Sequence, residues 1–233
     1  MKIDVVTLFP KMFESPFDES IIKRAIKTGK LKLKIHNLRD WAIDSYGSVD
    51  DRPYGGDVGM LIRVDVVYKA LQILCPAKQD ISLKKGNSKT RIIMMSARGK
   101  KFDQKKAEEL SKLDRLVLLA GHYEGFDQRV SDLLVDEEIS IGNYVLTGGE
   151  LPAMVVIDSV ARLLPGVLGK DESSKQESWS ETNIDGKKVR TIEYPQYTRP
   201  QEFMNKKVPE VLLSGDPKKI KAWQIDQIKK TIK

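Results

Sequence analysis

The chain has 233 residues, 40 Lys plus Arg against 33 Asp plus Glu, a formal charge of +7 and 40% hydrophobic residues. These values exclude a disordered polyelectrolyte, and a chain this long can bury about 70% of its unfolded surface, enough for one substantial core with a small appendage. Cys75 stands alone beside two histidines, His36 and His122, there is no long apolar run, and an acid follows within the first residues. No disulfide framework, metal site, membrane span or signal peptide is therefore expected, and the bounds fit a soluble cytoplasmic protein.

Residues 3–9 (IDVVTLF) are rich in β-branched side chains and read as a buried first strand. Residues 20–28 place Ile21, Ile22 and Ala25 on one helical face, and residues 31–36 (LKLKIH) alternate as a half-exposed strand does. Residues 37–63 carry no clear period, and loops that long inside a domain usually serve a function. Further on, residues 64–74, 103–113, 126–135 and 149–164 read as helices, and residues 91–95, 115–120 and 138–141 as short buried strands. Pro152 suits the first turn of the last of these helices, and Pro165-Gly166 ends it. The alternation predicts an α/β fold with a mostly parallel sheet covered on both faces. Residues 170–182 are polar apart from Trp179 and read as a linker or lid, followed by a turn at Asp185-Gly186. The end of the chain is basic: residues 216–233 hold six lysines against two acids, a pattern suited to phosphate contacts.

Several chemistries lack their motifs: there is no Gly-x-Gly-x-x-Gly after a strand, no Walker-type loop and no His-Glu-x-x-His. What remains is three glycine-bearing loops beside predicted strands: residues 96–99, 121–125 and 141–149. In an open parallel sheet such loops converge on one crevice, where glycines let the backbone approach a flat heterocycle.

The runs EISIGNYVLTGGELPAMVVIDSVARLLPGVLG (138–169), LAGHYEGFDQR (119–129) and RPYGGDVGM (52–60) resemble the bacterial tRNA (guanine-N1-)-methyltransferase family over nearly the whole chain. The resemblance implies a SPOUT-type fold with a trefoil knot in the cofactor site, a knot that general topology rules disfavour. It also implies a homodimer with active sites at the subunit interface, S-adenosylmethionine as methyl donor, and tRNA as substrate. The expected organisation is a knotted catalytic domain (1–168), a linker or lid (169–182) and a small, mainly helical, basic tRNA-binding domain (183–233).

Carried over by position, Gly121, Ile141, Gly142, Asn143, Tyr144, Val145 and Leu146 match the residues that hold S-adenosylmethionine. Ser96, Gly99, Tyr123, Glu124, Gly125, Gly148 and Gly149 match the surrounding pocket. Arg162 matches the catalytic arginine, and Glu177 falls on the family's catalytic aspartate. Arg52, Tyr54, Gly55, Gly59 and Met60, with Arg199, Lys218 and Lys219, are the candidates for tRNA contacts. A carboxylate can take the N1 proton of guanine, and a guanidinium can stabilise charge developing at O6. Ala97 stands where the family usually has proline, Asn143 where it has aspartate, and Asp57 where a third glycine is common. Glu177 lengthens the proposed base by one methylene. Ala97, Asn143 and Glu177 motivate a second reading, a non-catalytic RNA-binding protein with a vestigial pocket, and a SPOUT methylase acting on ribosomal RNA is a third.

Overall fold

The computed structural model describes residues 1–76, 89–168, 177–184 and 186–231. The chain divides into two compact units, Met1–Leu168 and Gly169–Lys233. In the first unit the elements run β1 (Lys2–Thr7), α1 (Glu14–Phe17), α2 (Ser20–Lys27), β2 (Lys32–Asn37), β3 (Asp50–Asp51), β4 (Leu61–Ile62) and α3 (Val64–Leu74). They continue with β5 (Thr90–Lys101), α4 (Gln104–Leu110), β6 (Arg115–Leu119), β7 (Glu137–Ser140) and α5 (Glu150–Ala161).

Five strands form one sheet in the order β2-β1-β6-β5-β7, and every pairing in it is parallel. Burial on both faces explains why the central strands read as continuous apolar runs. Ile3, Val5, Leu116, Leu118 and Ile93 point into one core with α2, α4 and α5. Val6, Val117, Leu119, Ile92 and Met94 point into the other, with Trp41 and the α3 residues Val66, Val67 and Ala70.

Three expectations are revised. Residues 126–135 form no regular helix, only a π-type turn at Val130–Leu134. Asp127 N–H is committed to Ile62 O at 2.9 Å and the Asp127 carboxylate accepts Arg129 N–H, so the first turn is used to tie this segment to β4. β5 continues past Met95 to Lys101, with an irregularity between Met95 and Lys100 where it pairs with β7. The aperiodic stretch 37–63 contains the 3-10 turn Leu38–Trp41 and the two-residue pairing of β3 with β4.

Asp4, in the middle of β1, is fully buried. It accepts hydrogen bonds from His36 Nε2 at 2.8 Å and Arg115 Nε at 2.8 Å, and Lys2 Nζ lies 3.3 Å away. Burial pushes its pKa up, but the His36 and Arg115 hydrogen bonds and the charges of Arg115 and Lys2 outweigh it, and the carboxyl falls from 3.8 to about 2. A depressed folded-state value means the stabilisation is present above the unfolded pKa and is lost as pH drops from about 4 through about 2. Its size is on the order of 2 kcal/mol. Urea midpoints measured between pH 5 and pH 2 should fall through that window. Asp4→Asn should flatten this dependence and cost about 3 kcal/mol at neutral pH, because the negative charge facing Arg115 and Lys2 is lost and one of the two acceptor oxygens becomes an NH₂.

In the second unit β8 (Glu181–Ile184) pairs antiparallel with β9 (Lys187–Arg190), and β10 (Glu202–Phe203) with β11 (Lys206–Lys207). Two helices follow, α6 (Glu210–Leu213) and α7 (Pro217–Thr231). Two hairpins beside two helices give this unit more strand than the mainly helical reading expects. Gly186, at φ +80°, makes the first hairpin's turn, while its predicted partner Asp185 lies outside the described residues. Of the stretch read as a lid, residues 169–176 lie outside the described residues, and its end enters β8. On α7, Trp223 packs against Tyr194 and Tyr197, with ring centroids 6.4 and 6.3 Å away.

Candidate cofactor cleft and catalytic residues

The loops that follow β6 and β7 and the bend within β5 meet at the carboxyl edge of the sheet, as the parallel topology dictates. They enclose a cleft of about 290 Å³, walled by residues 94–98, 121–128, 138–142 and 144–149 together with Ser131 and Pro152. Twelve of the fourteen predicted cofactor residues are brought together there: Ser96, Gly121, Tyr123, Glu124, Gly125, Ile141, Gly142, Tyr144, Val145, Leu146, Gly148 and Gly149.

Gly99 and Asn143 are not in the wall. Gly99 is explained by packing: a Cβ there would lie 2.5 Å from Ile139 N and 2.6 Å from the Glu138 carbonyl carbon, so it lets the bend of β5 press on the β7 backbone. Asn143 is exposed at the crest of its loop. Local hydrogen bonds set that loop: Ser140 Oγ donates to Gly142 O at 3.0 Å, and Tyr144 Oη donates to Ile141 O at 3.3 Å.

Two loops are joined backbone to backbone. Gly149 N–H donates to Gly121 O at 2.7 Å, and a Cβ on Gly149 would sit 2.8 Å from both Ala120 Cα and Gly121 N. This cradle presents backbone groups to the cleft, with the exposed Tyr144 and Val145 in the same wall. Arg98, Gln128, Thr147 and Pro152 also line the cleft and are not among the predicted cofactor residues. Arg98 could have been found from its place inside the 96–99 loop. Gln128 ends the 121–128 wall and ties it to that loop, accepting Arg98 NH1 at its Oε1 at 3.2 Å.

The 52–60 loop is fastened to the same wall. Glu124 N–H donates to Met60 O at 3.1 Å, and Ile62 N–H donates to Gly125 O at 2.8 Å. Gly59, at φ +108°, packs against the Glu124 side chain, leaving no space for a Cβ. Arg52 and Tyr54 line a second cavity of about 440 Å³ with Arg63, Asp65, Asp127 and Arg129. Asp127 lines both cavities, and Tyr54 is almost fully exposed. The Arg129 guanidinium beside Asp127 holds its carboxyl below the usual range, as Arg63 does for Asp65. Gly55 lies in the exposed tip of this loop.

Arg162 caps the end of α5, its N–H donating to Asp158 O at 3.2 Å, and it is not among the cleft-lining residues. Leu151, Val155, Asp158 and Arg162 follow at spacings of four, three and four, which places them on one helix face. Leu151 (49% exposed), Val155 (43%) and the exposed Asp158 leave that face open, apolar at its start and charged at its end, on a helix whose other residues are mostly buried. In the second unit, Glu177 opens a turn closed by Ser180 N–H donating to its carbonyl at 3.0 Å. Trp179 next to it donates its N–H to Thr191 O at 2.6 Å. Arg199, Lys218 and Lys219 are exposed. Asp216 Oδ1 accepts the backbone N–H groups of Lys218 and Lys219 at 3.0 and 3.3 Å, which caps α7 and projects both side chains outward.

The family model described as tRNA (Guanine-1)-methyltransferase TrmD matches residues 1–233. A protein of Carboxydothermus hydrogenoformans named tRNA (guanine-N(1)-)-methyltransferase is 48% identical over 227 residues, covering 97% of this chain and 82% of its own length. Proteins of the same name are 46% identical in Geobacter sp. strain M21 (100% of this chain, 87% of the relative) and 47% identical in Staphylococcus aureus strain JH9 (97% and 85%). With this likeness running through all three cleft loops, the chain belongs to the tRNA (guanine-1)-methyltransferase family.

Proposed function

We propose that this protein transfers the methyl group of S-adenosylmethionine to N1 of a guanine in tRNA, at the guanine immediately 3′ of the anticodon where the preceding base is also guanine. The observation that carries the reading is the cleft: twelve of the residues expected to hold the cofactor line one cavity at the carboxyl edge of a parallel sheet, in a chain that matches the family model throughout.

The bound cofactor would supply a methyl group activated on a sulfonium. The protein's own groups do the rest. The 121–125 and 141–149 loops would hold the adenosine against backbone walls and fix the direction of transfer. Glu177 is the general base that removes the N1 proton, and Arg162 stabilises the negative charge that develops at O6. The 52–60 loop, hydrogen-bonded to the wall at Glu124 and Gly125, is suited to receive the target base. A loop base can be splayed out and read on its Watson–Crick edge, which an anticodon loop permits and a duplex does not. The trefoil knot belongs to the same reading and rests on the family resemblance.

The active form is a homodimer. Arg162 shares an exposed helix face with Leu151, Val155 and Asp158, and two exposed aliphatic side chains beside a charged pair are the kind of surface a second copy covers.

Digestion of tRNA after incubation with the protein and cofactor, followed by mass spectrometry of the nucleosides, should show 1-methylguanosine. Methyl groups found only on ribose or on another base would overturn the reading. The exposed lysines of α7 supply phosphate contacts. Replacing Lys218, Lys219 and Lys221 by Gln should weaken tRNA binding, with the salt slope falling by about 1 for each lysine–phosphate pair removed. Filter-binding titrations across a salt series measure both quantities.

A further inference from the structure

Beneath the cleft, three segments far apart in sequence meet at one buried carboxylate. Glu150, the first residue of α5, is 1% exposed. Thr7, at the end of β1, donates its hydroxyl to Glu150 Oε1 at 2.7 Å and accepts Phe9 N–H at 2.9 Å, so its one proton is directed at the acid. The other oxygen, Oε2, faces His122 Nδ1 at 4.0 Å. That nitrogen is buried and has no hydrogen-bond partner among the described residues. The imidazole is held edge-on by Phe9, with centroids 4.7 Å apart, and packs against Tyr123.

An orphaned buried nitrogen is costly, and a carboxylate about 1 Å beyond hydrogen-bond reach is the partner that would satisfy it. His122 is part of the cleft wall, and Glu150 lies beside Gly148 of the same wall. A Cβ on Gly148 would run into Glu150 Oε2 and would come within 2.7 Å of His122 Nδ1. His122 itself bridges to Gly148 across the two loops.

We propose that Glu150 is a positioning residue: anchored by Thr7, it accepts a hydrogen bond from His122 Nδ1 when the cofactor enters, and this latch draws the 121–125 and 141–149 loops together around it. The latch rests on the reading of the cleft as the S-adenosylmethionine site. It assigns His122 a tautomer, with the proton on Nδ1 in the bound state. It also gives Glu150 a function that a helix-capping acid alone would not have.

The test uses the full-length protein labelled with ¹⁵N. With only two histidines in the chain, a His36→Gln variant assigns the ring signals of His122. Saturation with S-adenosylmethionine should move His122 Nδ1 to the position of a protonated, hydrogen-bonded nitrogen. In Glu150→Gln the side-chain amide, with its oxygen still accepting from Thr7, would turn its NH₂ toward His122. The tautomer should then switch to Nε2–H, and cofactor affinity by calorimetry should fall about tenfold. Thr7→Val, which frees the carboxylate, should weaken binding in the same direction and non-additively with Glu150→Gln. Wild-type binding with an unchanged His122 spectrum would overturn the latch and leave the cofactor site standing. No binding by the wild type would overturn both. The wild-type titration needs no variant, so misfolding of Glu150→Gln cannot obscure the answer.

Discussion

Glu177→Gln is expected to lower single-turnover methylation of tRNA by about 10²- to 10⁴-fold, the usual contribution of a positioned general base. The amide keeps the size of the side chain and its local turn, in which Ser180 N–H binds the Glu177 backbone carbonyl and not the side chain. Cofactor binding should therefore be retained, since the cleft walls belong to the 94–98, 121–128 and 138–149 regions. Quench-flow with limiting tRNA separates the chemical step from product release. A proton-transfer role further predicts that raising the pH recovers part of the missing rate, because solution base then deprotonates N1. Equal rates for the variant and the wild type would remove Glu177 from the mechanism, while a loss of cofactor binding would reassign it to the pocket.

The second large effect is steric. Gly149→Val should destabilise the protein by on the order of 3 kcal/mol and raise the cofactor Kd by about 100-fold or more. The reason lies in what surrounds the missing side chain: the nearest atoms are Ala120 Cα and Gly121 N, both backbone and both at 2.8 Å. Neither can move without opening the hydrogen bond from Gly149 to Gly121. Gly142→Ala is the informative contrast. The atoms nearest a Cβ there belong to the ring of Tyr144, an exposed side chain that can swing aside. Its cost should be well under half as large. Thermal unfolding and calorimetry of the two variants compare rigid and yielding neighbours within a single cleft.

The central strands of the sheet are legible in the sequence because they are buried on both faces, which leaves continuous apolar runs such as Leu116 to Leu119, while the edge strand β2 is legible through its alternation. Helix α3 is legible for the opposite reason: one face, Val66, Val67 and Ala70, is buried and the other is not. The segment after residue 126 reads as a helix because its apolar spacing is helical, yet Asp127 spends its backbone N–H on Ile62, a partner 65 residues away that no local pattern reports. Gly99 reads as a pocket residue since glycine in a loop looks the same whether a ligand or a neighbouring strand approaches it, and only the approach of Ile139 distinguishes them.

The chemistry of the site is legible only through motif resemblance. Nothing in the periodicity marks Glu177 within a polar run, and nothing connects Thr7 with Glu150 across 143 residues. The exposed stripe of Leu151 and Val155 is hidden for a related reason. α5 is apolar at most of its positions, so its sequence pattern points to no single outer face, and the exposure of Leu151 and Val155 emerges only once the rest of the helix has been covered.

The central claim is that this cleft methylates one guanine beside the anticodon. It is tested most directly with purified protein, radiolabelled S-adenosylmethionine and two tRNA transcripts that differ only at that base. One transcript carries guanine 3′ of an anticodon ending in guanine, and the other carries adenine there. Label incorporated into the first alone is the predicted result. Equal label in both transcripts, or none in either while the protein still binds the cofactor, would contradict it.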